Sequence, residues 1–385
     1  MAEFMSVGRR TDSPRTMKLI PLTDVRSQLR SGAPLLWGVR DANGKLLLGK
    51  GHVIASEEML ESLMARGMFV DADEARGRRE EVEKKPDSFI TRWNALQSRL
   101  STVLRTPSDS FFLQRVGECV SVLSVLGERN ADQLIYSIVR HDQDRYASYG
   151  VSHSLHVASL VALMARRHEW PREKLESGVG AALTMNISMI ELQGQLASRG
   201  GRPTKQQMEQ IQSHPLASAQ MLRDAGLSDP AWLAAIEHHH EEPGGTGYPQ
   251  RVPEPGELSQ VLRYIDIFLA KHAGRADREP VPAQQAARDL FLSSKGHPVA
   301  AMLIKEFGIY PPGCYVKLAS GETAIVVRRG ASANTPMAAA ITNKNGDPLG
   351  DHPRRDTSQA PFAIQATVSD KSVMVRVPVD KLFTS

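Results

Sequence analysis

Several imidazoles and one carboxylate stand in this chain where the apolar pattern points inward. His153 is expected to open a helix whose apolar residues are Leu155, Val157, Leu160, Val161 and Met164. His214 directly precedes Pro215. The run His238-His239-His240-Glu241 ends another helical pattern, in which His240 continues Leu233 and Ile236 and His239 continues Trp232 and Ala235. Adjacent helical residues differ by about 100° around the axis, so two of these histidines can flank one inward cavity but not all three. A glycine-rich loop ending in an aromatic follows, Gly244-Gly245-Thr246-Gly247-Tyr248-Pro249. Asp266 falls within Leu262, Ile265, Phe268 and Leu269, where a carboxylate is costly unless it is paired or binds a metal. Each feature alone has an ordinary structural explanation. The ordered set is more specific, because imidazole and carboxylate are ligands that Fe, Mn and Zn accept.

The elements that must position these residues are mostly helices. Phe89, Trp93, Leu96 and Leu100 form an amphipathic stripe, and similar stripes cover Val116 to Leu126 and Ala131 to Arg140. Thr204 and Gln207 form a capping box that opens the helix before His214. A residue before proline avoids helical geometry, so one helix is expected to end near Ser213 and another to begin at Pro215. Residues 87–307 therefore read as one helical domain.

The flanks differ. Residues 1–16 read as a disordered tail and 17–73 as a small α+β domain, with a hairpin around Asn43-Gly44 and a helix capped by Ser56 and stopped at Gly67. Residues 74–86 are charge-rich and read as a linker. From 308 to 385 the apolar period shortens to two. Strands are expected at Cys314 to Leu318, Thr323 to Val327, Ala338 to Thr342 and Ser372 to Val377, with a loop at Gly350 to Gln359. The fold expected is multidomain and mainly α, a central all-α bundle with a small C-terminal β-barrel-like unit.

Composition sets limits. The 385 residues are 41% hydrophobic and 23% charged, as in ordinary globular domains. A formal charge of +4 is too small for this length to argue for DNA or RNA binding. Two cysteines, Cys119 and Cys314, exclude a disulfide scaffold and a Cys-rich zinc module. No run of 18 apolar residues is present, so no membrane span is expected and a cytoplasmic location is.

The residues between Asp132 and Tyr315 resemble the HD-GYP family, the bacterial cyclic di-GMP phosphodiesterases of the HD superfamily. The resemblance rests on His153-Ser154, Ala181-Ala182-Leu183, His214-Pro215, His239-His240-Glu241, Gly245-Thr246-Gly247-Tyr248-Pro249 and Asp266-Ile267-Phe268-Leu269-Ala270. It implies an HD-type helical bundle around a metal site. By that resemblance, the metal ligands are His153 and Asp266 for a first ion and His214, His239 and His240 for a second. Tyr248, Arg275 and Arg278 become the ligand-binding positions. Asp277, between the two arginines, adds negative charge near the phosphate path. Tyr149 stands where some members carry an acidic residue, which argues against a third ion.

The departure from the pattern is as informative. The family segment Ala-Ala-Leu-Leu-His-Asp-Ile-Gly-Lys reads here as Ala181-Ala182-Leu183-Thr184-Met185-Asn186-Ile187-Ser188-Met189. Met185 and Asn186 thus occupy the name-giving His-Asp pair. A thioether suits hard divalent ions poorly, and a neutral amide cannot bridge two cations with a full charge. Asn186 shares a helical face with Val179, Ala182 and Leu183, so it is expected to point inward as a buried amide hydrogen-bonded to backbone. The leading expectation is an inactive member, a regulatory or binding module whose partners are cyclic di-GMP or a signalling protein such as a diguanylate cyclase. The alternative is a metal-dependent phosphodiesterase with a reduced metal site. The cofactor is one Fe, Mn or Zn ion or none, and a homodimer is a possible assembly.

Overall fold

The computed structural model describes residues 18–31, 33, 35–50, 56–75, 88–140, 148–274, 276–277, 280–375 and 377–383. The expected tail, most of the expected linker, and both Arg275 and Arg278 lie outside them. The described chain falls into two compact units, one ending at Ser88 and the other beginning at Phe89.

The first unit is a four-stranded antiparallel sheet with short helical segments. Strands β1 (Leu19–Pro21), β2 (Val39–Arg40), β3 (Leu46–Leu48) and β4 (Phe69–Asp71) pair in the order β1-β4-β2-β3. The expected hairpin is present as β2 and β3, and the helix is α1 (Glu57–Ala65). Leu22, Val25, Leu29, Leu35, Trp37, Val39, Leu60 and Val70 make a core separate from the rest.

The second unit is built on helix α5. In order come α2 (Phe89–Leu104), α3 (Phe112–Arg129), α4 (Ala131–Val139), α5 (Tyr149–Arg167) and α6 (Arg172–Thr184). A short 3-10 turn at Ile187–Met189 leads to α7 (Ile190–Arg199), α8 (Lys205–Asp224) and α9 (Pro230–Glu237). Then follow α10 (Glu257–His272), α11 (Ala283–Ser293) and α12 (Pro298–Phe307). Every residue from Gly150 to Ala165 is buried. A helix that hides all its faces belongs in the middle of a bundle, and α5 touches α2, α3, α4, α6, α7, α10 and α12. Its small residues let neighbours approach closely. The same device recurs at Gly180 of α6, where a Cβ would sit 2.1 Å from the Trp232 ring of α9.

One continuous helix runs through His214-Pro215, against the expected break. Helix α8 spans Lys205–Asp224 with Pro215 inside it. It opens with the expected capping box, in which Thr204 Oγ1 accepts from Gln207 N at 3.3 Å and Gln207 Oε1 accepts from Thr204 N at 2.9 Å. Proline removes a single helical hydrogen bond, and tertiary packing holds the helix together across the gap.

The C-terminal sheet corrects a second expectation. Strands β5 (Tyr315–Leu318), β6 (Thr323–Arg328), β7 (Met337–Thr342), β8 (Arg354–Asp356) and β9 (Ile364–Val368) pair in the order β8-β7-β6-β5-β9. Strands β8 and β9 are edges that do not meet, so the sheet is open and no barrel forms. It has no need to curl, because both faces are covered. Tyr315, Ile325, Val327, Ala339 and Ile341 pack with Tyr136 of α4 and Leu382 of the terminal helix α13 (Val379–Phe383). Val316, Leu318, Ala324, Val326 and Ala338 pack with Tyr310, Phe362 and Ile364 on the other face. The segment expected to be a loop supplies β8. The described part of Ser372 to Val377 is not a strand, although Val373, Val375 and Val377 pack against the core.

Candidate metal centre

Helices α8 and α9 bring three histidines together. His214, His239 and His240 each offer a ring nitrogen, and these atoms lie within 4.8 Å of one another. His214 comes from the middle of α8. The other two lie just past the end of α9, because that helix stops at Glu237 and the histidine run forms the turn after it. His239 is fully buried and His240 half-buried. His238 turns aside to Gln250, its Nε2 3.1 Å from Oε1.

The hydrogen bonds fix which nitrogen each ring presents. His214 Nδ1 lies 2.5 Å from the carbonyl oxygen of Ile211, and His239 Nδ1 lies 2.6 Å from that of Ile236. A carbonyl only accepts, so both Nδ1 atoms carry the proton and both Nε2 atoms hold a lone pair. The two Nε2 atoms are 3.0 Å apart. Two lone pairs facing each other at that range repel unless a cation lies between them. A proton is a poor candidate, since burial, helped by His239, pushes His214 down to about 3. Burial also lowers His239, and burial together with His239 lowers His240 well below the ordinary value. Neutral imidazoles that are hard to protonate are what a divalent ion requires. Two nitrogens bound to one ion at about 2.0–2.1 Å sit roughly 3 Å apart, so the residues fit a metal. The cluster can hold one Fe, Mn or Zn ion.

His153 and Asp266 are arranged differently. His153 Nε2 is 2.7 Å from Asp266 Oδ1. Burial alone would raise Asp266, but the His153 hydrogen bond and charge, with His240 and His239 nearby, outweigh it and hold the carboxyl well below the usual carboxylate range. The ionised carboxylate is thus within hydrogen-bond range of the His153 ring. These two side chains hold each other and do not join the three-histidine set. The Tyr149 ring stacks on His153 at 5.6 Å between centroids.

The segment 185–189, which aligns by resemblance with the His-Asp pair, joins α6 to α7 and packs against α8. Met185 is fully buried in the apolar core. Asn186 is 1% exposed, and its Oδ1 has no hydrogen-bond partner among the described residues. It therefore points inward as expected, but its oxygen is not bonded to backbone. Ser188 fastens this turn to α8, with its Oγ donating to His214 O at 3.2 Å and lying 2.9 Å from Ser218 Oγ. Thr184 accepts from Trp232 Nε1 at 2.9 Å, which ties the end of α6 to α9.

Tyr248 reaches the centre by a route that the sequence did not disclose. Its ring stacks on His240, with centroids 4.6 Å apart and planes 19° from parallel. The loop is held by Glu241, which is fully buried and accepts from Gln250 N at 2.6 Å and Val252 N at 3.1 Å. Gly247 is required there, since a Cβ would lie 2.5 Å from the backbone of His240 and Glu241. The signal for Glu241 was available in its position, a carboxylate directly after two inward histidines. Asp277 is engaged elsewhere than expected, accepting from Gly201 N at 2.6 Å.

Comparison with known proteins finds similarity over part of the chain. The HD domain family matches residues 131–297. The chain is 26% identical over 219 residues to cyclic di-GMP phosphodiesterase PA4108 of Pseudomonas aeruginosa, covering 53% of this chain and 53% of that protein. It thus spans about half the length of that curated relative. Among solved structures it is similar to Bd1817, a HDG"Y"P protein from Bdellovibrio bacteriovorus, with 18% identity and a TM-score of 0.47 over 74% of this chain and 96% of that one. None of the described helices is long and apolar enough to cross a membrane. Residues 131–297 thus match the HD domain family, and about half of the chain is similar in sequence to a cyclic di-GMP phosphodiesterase.

Proposed function

We propose that this protein is a metal-dependent phosphodiesterase of cyclic di-GMP signalling that works with a reduced, one-ion centre. The observation that carries this reading is the buried trio His214, His239 and His240, whose donor atoms lie within 4.8 Å of one another. When bound, a divalent ion there supplies a Lewis acid for phosphoryl oxygens and makes water a better nucleophile. The chain's own residues do the rest. His214 and His239 hold their Nε2 lone pairs in place through backbone carbonyls. Asp266 stays ionised and lies 2.7 Å from His153 Nε2. The Tyr248 hydroxyl has no hydrogen-bond partner among the described residues, which leaves it free to meet a nucleotide. Arg275 and Arg278 are proposed as the phosphate contacts, since guanidinium groups suit phosphate.

A second reading has its own observation. Met185 and Asn186 replace the pair that would serve a second ion, and His153 and Asp266 are bonded to each other. A chain that binds cyclic di-GMP or a diguanylate cyclase without turnover would need nothing more. Chromatographic assay of cyclic di-GMP hydrolysis separates the two. The first reading expects slow turnover that His239→Ala abolishes, and a rise of at least about 10-fold on the double change Met185→His with Asn186→Asp. Absence of turnover in both the natural chain and the double variant sinks the enzymatic reading and leaves the binding module.

A further inference from the structure

The unbroken helix through Pro215 has a chemical consequence at the metal centre. In an α-helix the N–H of each residue bonds to the carbonyl four positions earlier. The residue at 215 would claim the carbonyl of Ile211. Proline has no N–H, so that oxygen is released while α8 continues from Lys205 to Asp224. The oxygen is taken by the neighbouring side chain, with His214 Nδ1 at 2.5 Å. A carbonyl is an acceptor alone, so this bond puts the ring proton on Nδ1 and leaves the Nε2 lone pair 3.0 Å from His239 Nε2. His239 is set in the same way by different means. Its Nδ1 donates at 2.6 Å to Ile236, whose carbonyl lies in the last turn of α9. One carbonyl is released by a helix end and the other by a proline within a helix.

We infer that Pro215 is a positioning residue for the metal centre: by withholding an N–H from the Ile211 carbonyl it reserves that oxygen for His214 Nδ1 and so fixes the tautomer and aim of a ligand ring. The inference rests on the one-ion reading above for what the ring is aimed at. The position of Ser188 agrees with it, since its Oγ donates to His214 O at 3.2 Å and anchors the same turn of α8 from the other side.

The test is Pro215→Ala in the full chain. Alanine restores the N–H, which competes with His214 for the Ile211 oxygen. It also favours the helix, so a purely structural proline would be replaced without harm to binding. Three readouts are taken: heat stability of the metal-free protein, long-range 1H–15N spectra of the His214 ring, and Zn2+ affinity by competition with a chromophoric chelator. The expected result is a metal-free variant at least as heat-stable as the natural chain. Its His214 ring becomes a mixture of tautomers, and Zn2+ binds about 10-fold or more weaker, the loss typical of removing a bond that orients a metal ligand. A ring that stays wholly in the Nδ1–H form, or an unchanged Zn2+ affinity, overturns the inference. If the natural chain itself takes up no Zn2+, the one-ion reading falls, and the ring spectra still decide whether Pro215 sets the tautomer.

Discussion

His214 and His239 are each oriented by a hydrogen bond to a backbone carbonyl, and His240 has no such bond among the described residues. Its ring is aligned by the Tyr248 stack, 4.6 Å between centroids. Tyr248 is itself held by the two backbone bonds that Glu241 accepts. The aromatic ring, and not its hydroxyl, should therefore matter for metal binding. Tyr248→Phe is expected to bind Zn2+ as the natural chain does, whereas Tyr248→Ala should weaken binding about 10-fold. Chelator competition on the two variants measures this directly. Equal affinity in the alanine variant would show that His240 is aligned by something other than the stack.

At the scale of elements, the open sheet is joined to the bundle by a polar clamp. Arg329, just past β6, donates from Nε to Asp132 of α4 at 2.7 Å and from a terminal nitrogen to the Glu306 carbonyl of α12 at 2.9 Å. Its other contact is with the Glu306 carboxylate, which also pairs with Arg167 of α5. Glu306 is buried, so removing Arg329 leaves one of its carboxylate oxygens and its carbonyl without this donor, and Arg167 alone to balance its charge. Arg329→Ala is expected to cost about 2 kcal/mol in denaturant unfolding. Arg329→Lys should recover only part of that, since one ammonium cannot reproduce a planar fork. A loss below about 0.5 kcal/mol, the range of an ordinary surface substitution, would mean that apolar packing alone holds the sheet. This clamp was not legible in the sequence, because Arg329 lies close to Asp132 and Glu306 only after folding. The edge strands were hidden for other reasons. Strand β8 is Arg-Arg-Asp, which reads as a loop, and the three middle residues of β9 are exposed, so no alternation marks it. Conversely Val373, Val375 and Val377 alternate like a strand, yet they pack without strand pairing.

At the scale of the whole molecule, the helical bundle and the inward histidines were readable because apolar periodicity records which face is buried. The histidines carried further than Asp266 and His153, whose pairing with each other depends on distance and is invisible to spacing. The run through Pro215 was misread for a similar reason. The rule that helices end before proline is local, and the His214 side chain and tertiary packing override it. What remains is a three-histidine cluster able to hold one ion and a hydrogen-bonded His153–Asp266 pair. Its most direct test is metal content by mass spectrometry, on protein purified without chelator or affinity metal, alongside His239→Ala. The account predicts about one Fe, Mn or Zn per chain in the natural protein and loss of that ion in the variant. No stoichiometric metal would contradict the centre itself, and two ions per chain would contradict the one-ion account.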